Sequence, residues 1–288
     1  MSGWTAADLP SFAGRTVIVT GANSGLGEVT AGELARVGAT VILACRNTDK
    51  GEVAASGMTG DVEVRKLDLQ DLASVRAFAD GVDAVDVLVN NAGIMAVPYA
   101  KTVDGFESQI GTNHLGHFAL TNLLLGKITD RVVTVSSMMH LIGYLSLTDL
   151  NWNSRPYLAW PAYGQSKLAN LLFTSELQRR LTAAGSAVKA HSAHPGYSAT
   201  NLQGHSGNPI GSRLAKAGNR LATDAAFGAR QTLYAVSQDL PGDTFVGPRF
   251  GMWGPSGPAH RSPLARDAKK AGALWELSEQ LTGTKFAL

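Results

Sequence analysis

Short apolar runs alternate with helical patterns along most of this chain. The runs are β-branched and lack the polar alternation of a half-solvated sheet; they cover residues 15–21, 40–45, 61–68, 86–93, 131–137 and 187–196. Apolar residues at helical spacing lie between the runs, at 26–37, 48–57, 72–78, 106–125 and 162–182. Repeated strand–helix alternation predicts right-handed βαβ units. We therefore expect an α/β fold of the Rossmann-like, doubly wound type, with helices on both faces of a parallel sheet.

No feature of the sequence divides the chain into separate domains. It has no internal repeat, low-complexity tract or linker, so a single domain over residues 1–288 is predicted, with 1–13 as an N-terminal extension. Residues 203–219 are rich in Gly, Ser and Asn and predict a loop or short helices. Residues 243–254 predict one more strand near the end.

The stretch TGANSGLG follows the first predicted strand and opens the first predicted helix. Its glycines allow a tight turn, close backbone approach to a pyrophosphate, and close helix–strand packing. Free N–H groups and the helix dipole favour an anion at that helix N-terminus. A glycine turn needed only for packing is the alternative. The dinucleotide-binding turn is predicted to consist of Gly21, Asn23, Ser24, Gly25, Leu26 and Gly27.

The end of the second predicted strand carries a cation where nicotinamide dinucleotide sites usually carry an acid. An Asp or Glu about twenty residues beyond the glycines commonly holds the ribose 2′-hydroxyl. Here the sequence is ACRN, and the Arg46 guanidinium suits a 2′-phosphate, with Lys50 nearby in sequence. NADP(H) is therefore predicted in preference to NAD(H), unless Arg46 only begins an exposed helix. Asp68 and Leu69, after the third strand, are predicted at the adenine edge, although Asp68 could instead cap the next helix.

Composition narrows the class of protein. The chain has 25 basic and 23 acidic residues, and no long basic run, which gives no electrostatic reason to expect nucleic-acid binding. The single cysteine, Cys45, excludes an internal disulfide and fits a reducing compartment. The N-terminus does not resemble a signal peptide, and the most apolar stretch, 132–147, is shorter than a membrane span. We expect a cytoplasmic protein without a membrane span that acts on a small molecule.

Five motifs occur in one order: TGANSGLG, NNAG, VSS, YGQSK and HPG. Together they resemble the short-chain dehydrogenase/reductase family, from about residue 14 to residue 200. The stretches LACRN and NHLGHFALT, and an extended segment between VSS and YGQSK, are similar to the retinol dehydrogenase and protochlorophyllide reductase branch. The resemblance implies a nicotinamide-dependent dehydrogenase or reductase.

The same resemblance implies a set of site residues. The catalytic set would be Asn113, Ser137, Tyr163 and Lys167. Further cofactor contacts would come from Asn90, Ala92, Gly93, Tyr163, Lys167, Pro195, Gly196 and Thr200. Residues from about 199 to 222 would form a flap over the substrate. The motif VSS leaves Ser136 and Ser137 as alternatives, because strand alternation points them to opposite faces, and the family pattern favours Ser137.

The implied chemistry is proton transfer coupled to hydride transfer. Tyrosine has an ordinary pKa near 10, too high for efficient acid–base catalysis at neutral pH. Lys167 lies one helical turn beyond Tyr163, and its charge, with that of an oxidised nicotinamide, is predicted to lower the tyrosine pKa. Ser137 would polarise the substrate carbonyl, and Asn113 would hold a water linking Lys167 to solvent. His114 and His117 flank Asn113 without a further ligand cluster, so they are predicted to be interior histidines and no metal site is expected.

The sequence thus predicts an NADP(H)-dependent oxidoreductase that interconverts an alcohol and a carbonyl, with Tyr163 as general acid/base. Apolar residues follow Ser137, where the family that the sequence resembles builds its substrate cleft, and they favour a lipophilic substrate; they are Met138, Met139, Leu141, Ile142 and Tyr144. A catalytically silent NADP(H)-binding sensor, or an epimerase or dehydratase of the extended branch, are the alternatives. The two long helices at 106–125 and 162–182 are apolar on more than one stripe, so each needs a second partner. In the family that the sequence resembles, these helices pair with their mates across a two-fold axis, so the resemblance implies a homodimer or homotetramer.

Overall fold

The fold is built on one eight-stranded sheet. The computed structural model describes residues 3–196 and 225–288. Among those residues the strand order is β3-β2-β1-β4-β5-β6-β7-β8, with β1 to β7 parallel and β8 antiparallel to β7. The strands are β1 (Thr16–Thr20), β2 (Thr40–Cys45), β3 (Asp61–Lys66), β4 (Val85–Asn90), β5 (Ile128–Val135), β6 (Lys189–Ala193), β7 (Phe245–Pro248) and β8 (Ser256–Pro258). The predicted α/β fold with a doubly wound parallel sheet is confirmed.

Helices cover both faces of this sheet. They are α1 (Gly25–Arg36), α2 (Thr48–Ser56), α3 (Leu72–Asp80), α4 (Ser108–Ile110), α5 (Gly116–Leu124), α6 (Ala159–Ala183), α7 (Ala225–Ser237) and α8 (Ala268–Thr282). A π-helical turn, Gly111–Leu115, joins α4 to α5, and a 3-10 helix, Met138–Ile142, follows β5. In the part of the chain that the structure describes, no helix is long and apolar enough to cross a membrane.

Local caps begin several of these helices. The Asn47 side chain accepts a hydrogen bond from the backbone N–H of Lys50 at the start of α2. The Asp71 carboxylate accepts from the backbone N–H groups of residues 73 and 74 at the start of α3. Asp71, and not Asp68, is therefore the cap of α3, so the capping alternative for Asp68 is wrong.

Strand alternation sorts the buried side chains of the sheet into two layers. Ile18 of β1 and Leu88 of β4 belong to the layer under α3, α5 and α6. Val17 and Val19 of β1 belong to the layer under α1, α2 and α7. Because both faces of the sheet are covered, the central strands β1, β2 and β4 are apolar along most of their length, as the sequence pattern indicated. The edge strand β3 differs, because its positions alternate between exposed and half-buried.

Helix α8 covers the outer side of α5 and α6 within the same chain. Trp275 is buried, and its ring stacks on Phe173 with centroids 5.7 Å apart and 15° between planes. The Trp275 ring also meets the edge of Phe118 at 4.9 Å. His114 of the π turn bonds Ser278 of α8, with Nε2 and Oγ 2.9 Å apart. The extra apolar stripe of α5 and α6, from which a second subunit was predicted, thus packs on α8 of the same chain. The stripe therefore no longer supports an oligomer, and the oligomeric state stays a prediction.

Candidate active site

The turn between β1 and α1 needs its glycines. Gly21 and Gly25 have φ values of +65° and +59°, in the left-handed region that glycine tolerates best. A Cβ on Gly27 would lie 2.5 Å from the Gly21 carbonyl oxygen and 2.5 Å from Asn91 Nδ2. Ser24 stands at the N-cap of α1 without a side-chain hydrogen bond to the helix. The turn is therefore a backbone cradle at a helix N-terminus, which fits the pyrophosphate of a dinucleotide.

The Cys45 side chain packs against the backbone of this turn. It is buried at the end of β2, and burial raises the pKa of its thiol to about 11. Backbone N–H groups of Ala22 and Asn23 donate to the sulfur and offset that rise in part. Because the thiolate is the reactive form, this cysteine is a structural neighbour of the turn and an unreactive one.

Cations collect where β2 and β3 end. Arg46 is exposed directly after β2, and Lys66 Nζ donates to the Arg46 carbonyl oxygen at 2.5 Å. Asp68, partly exposed beyond β3, accepts a hydrogen bond from the backbone N–H of Gln70 at 3.0 Å. Leu69 is buried, and its carbonyl oxygen lies 2.5 Å from where a Cβ would stand on Gly116. The end of β2 thus offers a guanidinium and a nearby ammonium in place of the usual carboxylate.

Tyr163, Lys167 and Ser137 come together at the carboxyl end of β5. Tyr163 and Lys167 lie on α6, with Lys167 Nζ 5.7 Å from the Tyr163 ring centroid. Lys167 Nζ donates to the Val135 carbonyl oxygen at 3.0 Å, and the Ser137 hydroxyl hydrogen-bonds the phenol of Tyr163. The Ser136 hydroxyl instead donates to the Lys167 carbonyl oxygen at 2.8 Å. Of the two serines, Ser137 is thus the one beside the tyrosine.

Burial dominates the electrostatics of this pair. It raises the pKa of Tyr163 to about 12, and the hydrogen bond from Ser137 offsets only part of the rise. Burial also lowers the pKa of Lys167 to about 8. The sequence predicted a lowered tyrosine pKa. In the protein alone the pKa is raised, because the buried phenolate loses more hydration than the lysine, 5.7 Å from the ring, restores.

Asn113 ties the segment after β4 to the catalytic helix. Its Nδ2 donates to the Ile94 carbonyl oxygen and to Ser166 Oγ, both at 2.9 Å, and its Oδ1 accepts from the Ile94 N–H at 2.9 Å. Ser166 Oγ in turn donates to the Tyr163 carbonyl oxygen at 2.8 Å. A Cβ on Gly93 would lie 3.1 Å from Asn113 Oδ1. Asn113 sits in the π-helical turn, a distortion that is frequent at functional sites.

The two asparagines of NNAG have different surroundings. The Asn90 side chain is buried and donates to Thr121 Oγ1 of α5 at 2.9 Å, so it points into the protein and only its backbone borders the predicted cofactor path. The backbone N–H groups of Asn91 and Ala92 both donate to Thr20 Oγ1 at 2.9 Å. Thr20 therefore fixes the position of Ala92 relative to the glycine turn.

The HPG motif lies at the end of β6. Gly196 has a φ of +71°, and a Cβ there would lie 2.6 Å from the Met252 carbonyl oxygen. The motif, including Pro195, is therefore held against the loop that follows β7. Thr200 and the predicted flap at 199–222 lie outside the described residues.

Ser137 is held from two sides. His140 is buried and its Nδ1 lies 2.7 Å from the Ser137 carbonyl oxygen, while its Nε2 accepts from the Ser262 N–H at 3.3 Å. A Cβ on Gly164, the residue after the tyrosine, would lie 2.8 Å from the Met139 carbonyl oxygen. The segment after β5 can approach α6 this closely only because position 164 is glycine.

Three side chains fix the backbone between β4 and α4. Gln109 Oε1 accepts from the Ala96 N–H at 2.8 Å, and Tyr157 Oη donates to the Val97 carbonyl oxygen at 3.0 Å. Glu107 is fully buried, which raises the pKa of its carboxyl, and it accepts from the backbone N–H groups at the start of α4. The backbone segment between β4 and α4, next to Asn113, is thus held in place by side chains that sequence analysis did not identify.

Exposed apolar side chains lie on the segments that precede Tyr163, follow Ser137 and follow β7. The Trp160 ring is 49% exposed and its centroid lies 6.4 Å from that of Tyr163. Met138 Cε lies 3.9 Å from a Cβ built on Gly251, so the loop after β7 meets the segment after Ser137. The large apolar residues left exposed on these three segments are Leu141, Ile142, Tyr144, Leu158, Trp160, Phe250, Met252 and Trp253.

Sequence reasoning missed several residues of this site. Thr20, Ser166 and Asn170 each lie inside or just beyond a recognised motif, and Asn170 Nδ2 donates to the Val135 carbonyl oxygen that also accepts from Lys167. The sequence predicted that these residues lie in a helix or a turn, but it could not predict their hydrogen-bond partners. Over residues 3–196 and 225–288, no group of three or more His, Cys, Asp or Glu side chains could hold a metal ion.

Solved structures share this architecture. The crystal structure of an uncharacterized protein of Mycobacterium paratuberculosis is 70% identical and covers 100% of both chains, with a TM-score of 0.91. A structure from Beutenbergia cavernae, described as an NAD(P)-dependent gluconate 5-dehydrogenase with bound NADP, is 27% identical over 78% of this chain and 90% of its own, with a TM-score of 0.58.

Sequence comparisons identify the family. Human retinol dehydrogenase 13 is 42% identical over 94% of this chain and 85% of its own length. Human retinol dehydrogenase 12 is 42% identical over 95% of this chain and 88% of its own. The family model for short chain dehydrogenases matches residues 15–210. The chain therefore belongs to the short-chain dehydrogenase family, in its retinol dehydrogenase-like branch, and is an alcohol/carbonyl oxidoreductase of the NAD(P)(H)-using type.

Proposed function

We propose that this protein is an NADP(H)-dependent oxidoreductase that interconverts an alcohol and a carbonyl on a lipophilic substrate, with Tyr163 as general acid/base. The observation that carries the proposal is the convergence of Tyr163, Ser137 and Lys167 beside the glycine turn. Ser137 hydrogen-bonds the phenol, and Lys167 lies one turn along the same helix. These groups can bind and protonate one oxygen atom.

The proposed proton transfer follows from the protonation states. With a pKa of about 12, the Tyr163 phenol carries its proton at neutral pH, the form that carbonyl reduction requires. Ser137 donates a hydrogen bond to the same substrate oxygen. Lys167, with a pKa of about 8, is mostly charged at neutral pH and stabilises the phenolate that remains after transfer. Asn113, through a water, is assigned the path that returns the proton.

The preference for NADP(H) rests on the end of β2. Bound nicotinamide dinucleotide supplies or accepts the hydride. The exposed guanidinium of Arg46, with Lys66 beside it, suits a 2′-phosphate. The end of β2 carries no carboxylate that would repel this phosphate. The structure of the Beutenbergia cavernae protein, a more distant relative, has NADP bound at low occupancy.

The substrate class rests on the apolar surroundings of Tyr163. Exposed apolar side chains on three segments would be costly unless a substrate or flap covered them. The names of the relatives point the same way, because retinol is an alcohol on a long apolar chain. We therefore assign alcohols and aldehydes of apolar chains as the substrate class.

Both parts of the proposal can be tested in one screen. Purified protein is assayed with apolar and polar aldehydes and ketones, using NADPH and NADH in parallel. We expect turnover of apolar carbonyls and a preference for NADPH that Arg46→Ala reduces by roughly tenfold to a hundredfold, the value of a charge-assisted pair. Arg266→Ala, which removes an exposed guanidinium elsewhere, is the control.

Two results would contradict the proposal. A clear preference for NADH in the wild type would overturn the role of Arg46. Cofactor binding without turnover of any carbonyl, unchanged by Tyr163→Phe, would favour the silent sensor.

A further inference from the structure

The Thr20 hydroxyl links the end of β1, just before the glycine turn, to the π-helical turn that carries Asn113 and to α5. Its oxygen accepts two backbone N–H bonds at 2.9 Å, from Asn91 and Ala92. The same oxygen lies 2.9 Å from His117 Nε2, whereas the Val89 carbonyl oxygen lies 3.4 Å away. A threonine hydroxyl has two acceptor sites and one hydrogen. With both acceptor sites taken, its hydrogen must be the one in the bond to His117.

This arrangement assigns the tautomer of His117. Since Nε2 accepts from Thr20, the ring hydrogen is on Nδ1. His117 Nδ1 lies 3.1 Å from the Asn113 carbonyl oxygen, so it donates to that carbonyl. Burial and, secondarily, the charge of Lys167 lower the pKa of His117 to about 3, which keeps the ring neutral. A protonated ring would face Thr20 with a hydrogen where no acceptor site remains.

We propose that His117 is a positioning residue for catalysis, which holds the Asn113 carbonyl and, through Thr20, the backbone at residues 91–92 in one fixed arrangement. The inference rests on the proposed function, because it concerns the groups assigned to the cofactor and to the proton path. The bridge spans three separate elements: the end of β1, the segment after β4, and the π turn with α5.

His114 provides a matched comparison. It is also fully buried, three residues earlier, and burial lowers its pKa to about 3. Its Nε2 bonds Ser278 Oγ, and that hydroxyl donates its own hydrogen to the Leu274 carbonyl oxygen at 2.7 Å. His114 is therefore the opposite tautomer, with its hydrogen on Nε2, and it contacts α8 and not the cofactor turn. A purely structural histidine should behave like His114.

The first test compares kcat, the Kd of NADPH by fluorescence, and thermal stability. The variants are His117→Leu, Thr20→Val, their double mutant, His114→Leu and Thr20→Ser. We expect His117→Leu and Thr20→Val each to lower kcat by about tenfold or more, as loss of a buried hydrogen bond does. The double mutant should be no worse than the poorer single, because both remove one bridge. His114→Leu should lose stability but keep kcat within twofold, and Thr20→Ser, which retains the hydroxyl, should lose less kcat than Thr20→Val.

Conservative variants keep the proposal testable if His117→Leu does not fold. His117→Asn retains an N–H near Nδ1, and His117→Gln retains an acceptor near Nε2. Each should keep one half of the bridge and part of kcat. The inference is overturned if the His117 variants keep kcat within twofold, or if the Thr20 and His117 effects multiply in the double mutant.

The second test does not depend on activity. Selective ¹⁵N labelling of histidine and long-range ¹H–¹⁵N correlation spectra report the tautomer of each ring. We expect the Nδ1–H form for His117 and the Nε2–H form for His114, and a change at His117 in Thr20→Val. An Nε2–H form at His117 would overturn the inference even in a fully active enzyme. Correct tautomers in a protein that turns over no carbonyl would instead point to failure of the proposed function.

Discussion

Burial lowers the pKa of five histidines in the described residues, His140 among them, and the four with the largest shifts make the fold sensitive to acid. Burial lowers the pKa of His114 and His117 to about 3, and that of His191 and His194 to about 4. All four side chains are at most 1% exposed. Neither ring nitrogen of His191 has a hydrogen-bond partner, so this ring has no acceptor for an added proton. Lowering the pH should therefore favour the unfolded chain, in which each ring can be charged.

The sign and size follow from proton linkage. An unfolded histidine has a pKa near 6.5, so between pH 6.5 and about 3 to 4 the unfolded chain binds protons that the folded chain does not. The contribution of these neutral, buried histidines to the free energy of unfolding is complete above pH 6.5, and it is lost as the pH falls from 6.5 towards 3 to 4. At pH 5 each of these histidines lowers the free energy of unfolding by about 2 kcal/mol, and the four together lower it by roughly 8 kcal/mol. A typical domain has only about 5–15 kcal/mol, so we expect acid unfolding to begin near pH 5.

Urea unfolding followed by tryptophan fluorescence between pH 8 and pH 5 measures this effect. We expect the free energy of unfolding to be flat above pH 7 and to fall steeply below pH 6.5. His114→Leu should remove about a quarter of the pH dependence. His260→Gln, which changes an exposed ring, should leave it unchanged. A free energy of unfolding that stays constant from pH 7 to pH 5 would refute the reasoning.

Three further substitutions test the site and its support. Tyr163→Phe should lower kcat by about 10²–10⁴-fold and leave the Kd of NADPH nearly unchanged, because it removes only the acid/base hydroxyl. Gly164→Ala places a Cβ 2.8 Å from the Met139 carbonyl oxygen, and should cost about 1–3 kcal/mol in urea unfolding and lower kcat by displacing the segment after β5. Trp275→Ala should cost about 3–5 kcal/mol and, by uncovering α5 and α6, increase self-association in light scattering, whereas exposed Trp253→Ala should change stability by less than about 0.5 kcal/mol.

Most of the sheet could be predicted from sequence because its central strands are buried on both faces and form short apolar runs. The six strands predicted first each overlap an observed strand of the parallel sheet, including the more exposed edge strand β3. The last predicted strand, at 243–254, is shorter in the structure, at Phe245–Pro248, and β8 was not predicted. Strand β8 has three residues, two of them Gly and Pro, and pairs with β7 at the edge of the sheet.

Contacts between distant segments could not be predicted. Helix α8 looks in sequence like any amphipathic C-terminal helix, and nothing local shows that Trp275 packs on Phe173. The extra apolar stripes of α5 and α6 predicted a packing partner, and α8 of the same chain covers part of that surface, while pairing with another subunit stays a prediction. Likewise, the asparagines of NNAG are adjacent in sequence, yet Asn90 points into α5 while Asn91 bonds the glycine turn.

The pKa values of Tyr163 and Lys167, the proposed catalytic pair, also could not be predicted from sequence. Helical spacing correctly predicted that Lys167 lies near Tyr163, but spacing says nothing about depth in the fold. At this depth the pKa of the tyrosine rises and that of the lysine falls, because each loses hydration as a charged group. The pKa of Tyr163 rises from 10 to about 12 and that of Lys167 falls from 10.5 to about 8, so the two values cross and move apart, which is the wrong order for a resting tyrosinate. Lys167 can act on Tyr163 chiefly when the phenol gives up its proton, since only then does a negative charge stand beside it. The arrangement thus stabilises the product of proton donation more than its starting state, which is what an acid catalyst of carbonyl reduction requires.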